Sequence, residues 1–413
     1  MIMIEEVKTL RTLARDYFKI INTEKNSENM KLHKAVNDLK QIRPVVLIDE
    51  LPWSEMNIDN ELTLQCKNSY LREIEWLLRS NLYKNKYMPA DMILQPYIPI
   101  HKIINYSGIG ISVEEEILST DKNSSVASHS FKDVLTTDWD VEKLHNPILT
   151  YDKKETLKRF NLIGEILGDI IPVKLVGVSH FTSGPWDDIA RYHGVTEILY
   201  DLIDRPEFMH KIVQKFVNID LSILEQIEAL NLFDNNSYDL HCTPILTNDL
   251  PSKGFDDDKL TRKDVWGRGF AQIFGSVSKY MHEEFDIEYM KSTIGQCGLV
   301  YYGCCEPLDK KINIVEKIPN LRKISITPWA NVEIAAEAIN KKYVLSSKPN
   351  PAAVAVPMLD KVALKKEIST ILNACKKNGC SCDIVLKDIS TCGNRPENIF
   401  EWEKIVTEMV KNY

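Results

Sequence analysis

Gly298-Leu-Val-Tyr-Tyr-Gly-Cys-Cys-Glu-Pro307 is the stretch that decides the fold of this chain. Leu299 to Tyr302 is a short apolar run with β-forming side chains, bounded by glycine on both sides, as in a buried strand. Two adjacent thiols and a carboxylate follow at once: Cys304, Cys305 and Glu306. A second run, Asp383-Ile-Val-Leu-Lys-Asp-Ile389, leads to a third thiol, Cys392. If both runs are strands of one parallel barrel, the thiols converge on one rim. Soft thiolates meeting there point to zinc.

Outward from these two runs, β-rich segments alternate with helical ones. The strand candidates are Pro44–Ile48, Met92–Ile100, Val173–Val178, Ser237–His241, Gly298–Tyr302, Lys323–Ile326, Tyr343–Ser346 and Ile384–Lys387, eight in all. Helical periodicity marks Val195–Leu202, a segment from Pro206 to about Leu230, Val332–Ile339, Lys361–Lys377 and a last helix to about Val410. Gly379 follows the fourth as a stop, and Pro396 opens the fifth. Eight strands alternating with helices predict an α/β fold, a (β/α)8 TIM barrel. Residues 1–43 read as an N-terminal helical extension, and 44–413 as the barrel with an insertion at about 101–170.

Bulk composition fits that class. The chain has 413 residues, 44% of them hydrophobic and 27% charged, with a net charge of −8. The acidic balance and the absence of a basic block argue against a nucleic-acid surface. No apolar run has transmembrane length, and the N-terminus lacks a secretory pattern, so a soluble cytoplasmic protein is expected. Seven of the nine cysteines lie after residue 290. In a reducing compartment they are free thiols or metal ligands.

In parallel barrels the chemistry sits at the C-terminal ends of the strands. Those ends carry Asp49-Glu50-Leu-Pro-Trp53, Gly184-Pro-Trp186, His241-Cys242, Cys304-Cys305-Glu306, Thr327-Pro-Trp329, Lys348-Pro-Asn350 and Cys392. Cys304 and Cys392 are candidate metal ligands, against the bland reading of small buried residues. Glu306 is a ligand, a general base or a helix-start acid; His241 is a ligand, a base or a rim residue. Cys305 neighbours Cys304 on an extended segment and points the other way, and Cys242 reads as core. Asp49, Trp53, Trp186, Trp329 and Asn350 are candidate substrate contacts, each with a structural alternative as loop, core or turn. Cys375, Cys380 and Cys382 lack zinc-ribbon spacing and read as structural.

From about residue 170 to its end the chain resembles the uroporphyrinogen decarboxylase superfamily, which includes zinc-dependent, corrinoid-linked methyltransferases. The resemblance is carried by Val173-Lys-Leu-Val-Gly-Val-Ser-His-Phe-Thr-Ser-Gly-Pro-Trp186, by Val195–Phe208, by Tyr343-Val-Leu-Ser-Ser-Lys-Pro-Asn-Pro351 and by Cys392-Gly-Asn-Arg-Pro-Glu-Asn398. It implies zinc held by a His-x-Cys at the fifth strand and a Cys at the eighth. Cys304 and Cys392 match the two cysteines. Tyr302 stands where the histidine is expected, so His241, Glu306 or Cys305 must supply the missing ligand. The decarboxylase branch resembles the chain less, because Ile48-Asp-Glu-Leu-Pro-Trp53 is acidic where that branch has arginines for substrate carboxylates.

The expected activity is therefore that of a zinc-dependent methyltransferase, moving a methyl group between a corrinoid or other donor and a thiol or small-molecule acceptor. A metal-free decarboxylase-like lyase and a non-catalytic small-molecule-binding barrel are the alternatives. Any corrinoid would arrive on a partner protein or free. A homodimer is compatible with the resemblance; nucleic acid and membrane are not expected partners.

Overall fold

The computed structural model describes residues 3–119, 127–236 and 238–413. Its principal sheet has seven parallel strands: β1 (Val45–Ile48), β2 (His180–Ser183), β3 (Trp266–Gly269), β4 (Leu299–Tyr302), β5 (Leu321–Ile326), β6 (Val344–Ser347) and β7 (Ser381–Leu386). They lie in the order β1-β7-β6-β5-β4-β3-β2. A separate parallel pair joins Ile98–His101 to Val173–Val176. The chain is thus α/β, as expected. Among the described residues, however, no hydrogen-bonded ring of eight strands closes.

Three of the eight expected strands differ: Met92–Ile100 is strand only over Ile98–His101, and the other two depart for identifiable reasons. Ser237–His241 was expected in the sheet, but Asp239–Leu240 pairs only with Thr243–Pro244, antiparallel; Ser237 lies outside the described residues. The place beside β4 is taken by β3, Trp266-Gly-Arg-Gly269, whose two glycines hide it from a propensity reading. Those glycines are needed: a Cβ on Gly267 would lie 2.8 Å from the Ile294 carbonyl oxygen, and one on Gly269 2.4 Å from Ile294 Cδ1. The Val173–Val178 run stops at Val176 and resumes as β2, with a break at Gly177, where a Cβ would meet the Leu232 carbonyl oxygen at 2.0 Å.

Strand alternation gives the sheet two unlike faces. Val46, Ile48, Val300, Tyr302, Ile324, Ile326, Leu345, Ile384 and Leu386 share one face and belong to the main apolar core. Helices cover that face because their own apolar residues recur at helical spacing. Glu397–Lys411 buries Ile399, Trp402, Val406 and Val410. Each such side chain contributes about 1.5–3 kcal/mol of burial. Lys361–Asn378 ends at Gly379, whose φ of 68° only glycine adopts readily.

The opposite, inward face carries Thr182, Arg268, Tyr301, Lys323, Ser325, Ser346 and Asp383, brought into line by the strand register. Parallel sheets are ordinarily apolar on both faces, so this polar row needs partners. Lys323 Nζ lies 2.9 Å from Asp383 Oδ2 and donates to the Pro244 carbonyl at 2.6 Å. Ser346 Oγ donates to Asp383 Oδ1 at 2.5 Å and lies 3.1 Å from Thr243 Oγ1. These bonds tie the 239–244 hairpin onto the inward face, with Trp266, Leu240 and Ile245 packed beside it.

Residues before β1 form two helices, Ile4–Ile21 and Glu24–Asn37. Leu10, Ala14 and Tyr17 of the first pack on Leu71, Ile74 and Leu78 of Ser69–Tyr87. The 101–170 segment holds the strands Ile104–Tyr106 and Leu149–Tyr151, paired antiparallel, a second antiparallel pair, Glu115–Leu118 with Ser128–Phe131, and helices Asp138–Glu142 and Lys153–Leu167.

Candidate functional site

The hairpin turn is what brings ligand-type side chains to the strand ends. Cys242 has a φ of 58°, and its backbone is held on both sides. Its N–H donates to Asp49 Oδ2 at 3.2 Å, at the end of β1. Its carbonyl accepts from Lys348 Nζ at 2.5 Å, at the end of β6. Burial pushes the Lys348 amine down to about 8. This grip places His241 Nδ1 3.3 Å from Glu50 Oε1. The ligand-type atoms of Glu50, His241 and Cys242 all lie within 4.8 Å of one another. His241 is 40% exposed and Cys242 is buried, so the group has one open side.

Beside it stands the vicinal thiol pair. Cys304 Sγ is 3.8 Å from Cys305 Sγ, from Arg268 Nη2 and from Lys387 Nζ. The Cys304 thiol is pulled well below its ordinary value, first by the hydrogen bond from Cys305, against the cost of burial, then by His241, Lys387 and Arg268. Cys305 is pushed up by giving that bond and by burial. Cys304 is therefore the thiolate of the pair, in the kind of electropositive setting that makes a cysteine reactive. Burial works against the charge on Lys387, but Cys304 and Asp388 hold it protonated. Lys387 Nζ is 2.7 Å from Asp388 Oδ2 and 3.9 Å from Glu50 Oε2, joining the thiols to the Glu50 group. Burial also raises the Glu50 carboxyl. A cavity of about 140 Å³ opens over the pair, lined by Cys304, Cys305, Trp329, Lys348, Lys387 and Asp388.

Several expected ligands are placed elsewhere. Cys392 is buried and donates to Glu55 Oε2 at 3.2 Å, in a loop where Glu55 also accepts from the Cys392 and Asn394 amides. Burial first, and Glu55 next, push its thiol up to about 12. Glu306 is 1% exposed and accepts from the amides of Ala271 at 3.1 Å and Cys304 at 3.0 Å. It fastens the β3 and β4 ends together, and burial pushes its carboxyl up to about 8. Of Cys304, Cys392, Glu306 and His241, only His241 belongs to the Glu50–His241–Cys242 group, with Cys304 as its neighbour. Tyr302 sits on the helix-covered face, where its hydroxyl meets His282 Nε2 at 2.6 Å and Asp286 Oδ2 at 2.5 Å. A histidine there would point away from the thiols.

The expected substrate contacts also divide. Trp329 is 72% exposed and lines the cavity. Trp186 is buried in a second apolar cluster, its indole N–H bonded to the Phe285 carbonyl. Trp53 packs edge-on against Trp76 and Tyr83. Asn350 caps the 351–354 turn by accepting from the Ala352 amide. Asp49 is engaged by the Glu50 and Cys242 amides and acts as a brace for the hairpin. Of the residues that meet at this rim, Arg268 and Lys387 are not singled out by any sequence pattern, and Cys242 reads as core. The visible signal for Lys387 is a lysine closing the apolar run Ile384-Val-Leu386.

Gly303 sets where the thiol pair points. Its φ is 101°, and a Cβ there would lie 2.7 Å from Leu308 Cδ1 and 3.1 Å from Ser325 Cβ. Gly303→Ala is expected to cost about 1–3 kcal/mol. Urea unfolding checks this, and the rate of thiol titration should change in the same variant because Cys304 is displaced.

No protein-family model matches this sequence, and no curated protein matches it.

Proposed function

We propose that the chain is a zinc-dependent methyltransferase, with the metal at Glu50, His241 and Cys242. The observation that carries the reading is the approach of a carboxylate, an imidazole and a thiol to within 4.8 Å at the strand ends. That donor set fits zinc: catalytic sites take three protein ligands of these types and keep one position open. The open side at His241 answers that need. The resemblance to zinc-dependent, corrinoid-linked methyltransferases supports the same class, and with it a barrel-like arrangement of the sheet and the Ile98–His101/Val173–Val176 pair.

Zinc bound there supplies a Lewis-acid charge that lowers the pKa of a soft donor such as a thiol. The chain's own residues do the rest. Asp49 and Lys348 hold the hairpin so that His241 and Cys242 face Glu50. Lys387 balances Glu50, Asp388 and the Cys304 thiolate. Trp329 forms part of the cavity wall. In the transfer, the acceptor sulfur attacks the methyl carbon. The sulfur–carbon bond forms, and the donor–carbon bond breaks with its electron pair left on the donor.

Metal analysis of the purified chain is expected to give close to one zinc per chain. Methylcobalamin with a panel of small thiols is expected to give methyl thioethers. A chain that purifies without metal and regains none on zinc addition would sink the reading; so would a zinc-loaded chain inert with every thiol.

A further inference from the structure

We infer that Arg268 forms a carboxylate-binding subsite beside Cys304, so that the molecule reacting at this rim carries a small anionic group. The inference takes the rim as the place of reaction, as proposed above, but it does not depend on the metal.

Arg268 stands apart from the other enclosed arginines of the chain. Arg43, Arg79, Arg262 and Arg322 each sit on a carboxylate, at Asp91, Glu75, Glu228 and Asp249. Arg268 is only 7% exposed, yet it makes no ion pair with an acid among the described residues. Its contacts are the Phe270 ring, 4.3 Å from the guanidinium carbon, and Cys304 Sγ, 3.8 Å from Nη2. Its Nε is buried with no hydrogen-bond partner. A guanidinium carries five N–H donors in a rigid fork, and leaving even one buried and unmet, as at Nε, is costly. Such a group is retained where something completes it, and the shape of the fork matches a carboxylate taken two oxygens at a time.

The surroundings say where that anion would lie. Arg268 is on the inward face of β3, in register with Thr182 of β2 and Tyr301 of β4. Thr182 is exposed although it lies within a strand, so the space next to the guanidinium is open. Lys387, the other cation touching Cys304, is already matched by Asp388 at 2.7 Å. His180 is held neutral, its ring pushed down to about 4 by burial and then by Arg268 and His241. Beyond the Cys304 sulfur, the guanidinium has no carboxylate partner among the described residues. An anion held on it would stand within a bond or two of an atom meeting Cys304 Sγ.

Haloacetates test this directly. Cys304 sulfur attacks the methylene carbon, the carbon–sulfur bond forms and iodide leaves with the electron pair of the carbon–iodine bond. Iodoacetate carries a carboxylate one carbon from the reacting atom, whereas iodoacetamide is neutral and nearly the same shape. Alkylation is followed at Cys304 by peptide mass spectrometry on the full chain, as purified and after chelation. The iodoacetate-to-iodoacetamide rate ratio at Cys304 is expected to exceed that of free cysteine by tenfold or more. Arg268→Gln should return it to the free-cysteine value, and Arg268→Lys should keep part of it. Acetate should also slow iodoacetamide at wild-type Cys304 more than chloride at equal ionic strength, a reading that needs no variant. A wild-type ratio equal to free cysteine, or one unchanged in Arg268→Gln, would overturn the inference. Zinc content is measured on the same samples, so a chain that purifies without metal, regains none on zinc addition and still shows a high ratio defeats the metal proposal and leaves the subsite standing.

Discussion

Lys323→Met is expected to destabilise the protein by about 3–5 kcal/mol, the cost of leaving one member of a buried ion pair without the other. Lys323 and Asp383 are both fully buried, 2.9 Å apart, in the middle of the inward face. Removing the amine strands the Asp383 carboxylate with Ser346 as its remaining side-chain donor. It also removes the shorter of the two hydrogen bonds to the Pro244 carbonyl, leaving the one from Asn37 Nδ2 at 3.2 Å, and so loosens the hairpin that presents His241 and Cys242. The double variant Lys323→Met with Asp383→Asn removes both charges and should recover a large part of the loss. Urea unfolding of the two variants measures this. If the single variant unfolds like the wild type, the pair does not hold the hairpin in place.

His241→Ala and Cys242→Ser are each expected to weaken zinc binding by more than about 100-fold. Removing only the groups behind metal ligands already costs up to about that much. Cys392→Ser, by contrast, should leave zinc affinity within about threefold of wild type, because its thiol is spent on Glu55 rather than on the rim. Competition titration against a chromogenic chelator reads all three. Affinity should rise with pH, because burial keeps the Cys242 thiol protonated in the metal-free protein and binding must release that proton. A pattern in which Cys392→Ser abolishes binding and Cys242→Ser does not would return the ligand set to the one the family resemblance implies.

The Leu299–Tyr302 strand, the Cys304 turn and the helices Val332–Ile339 and Lys361–Asn378 were legible because their signals are local. Apolar runs, helical spacing and a glycine stop need no knowledge of the rest of the chain. Cys392 follows the same local logic, a thiol after a strand, yet it turns to Glu55, 337 residues away in sequence. Glu306 likewise reads as chemistry and acts as a brace, because the Ala271 and Cys304 amides converge on it only once β3 and β4 are adjacent.

Trp266–Gly269 shows the reverse failure. Two glycines in four residues lower strand propensity, but the turn at Ile294 presses against them and only glycine fits. Cys242, beside a short hairpin, looked like core for the same reason that it matters: it is buried, and its neighbours come from β1 and β6.

By itself, the sequence determined an α/β chain with parallel strands, the position of the Cys304–Cys305 turn at a strand end, and the presence of soft ligand types there. Those follow from periodicity and turn chemistry, which act over a few residues. The tertiary structure alone decided which acid, imidazole and thiol meet, and that the seven-stranded sheet carries charge on its inward face. Register across strands far apart in sequence sets those meetings, and a one-residue slip would send every side chain to the other face.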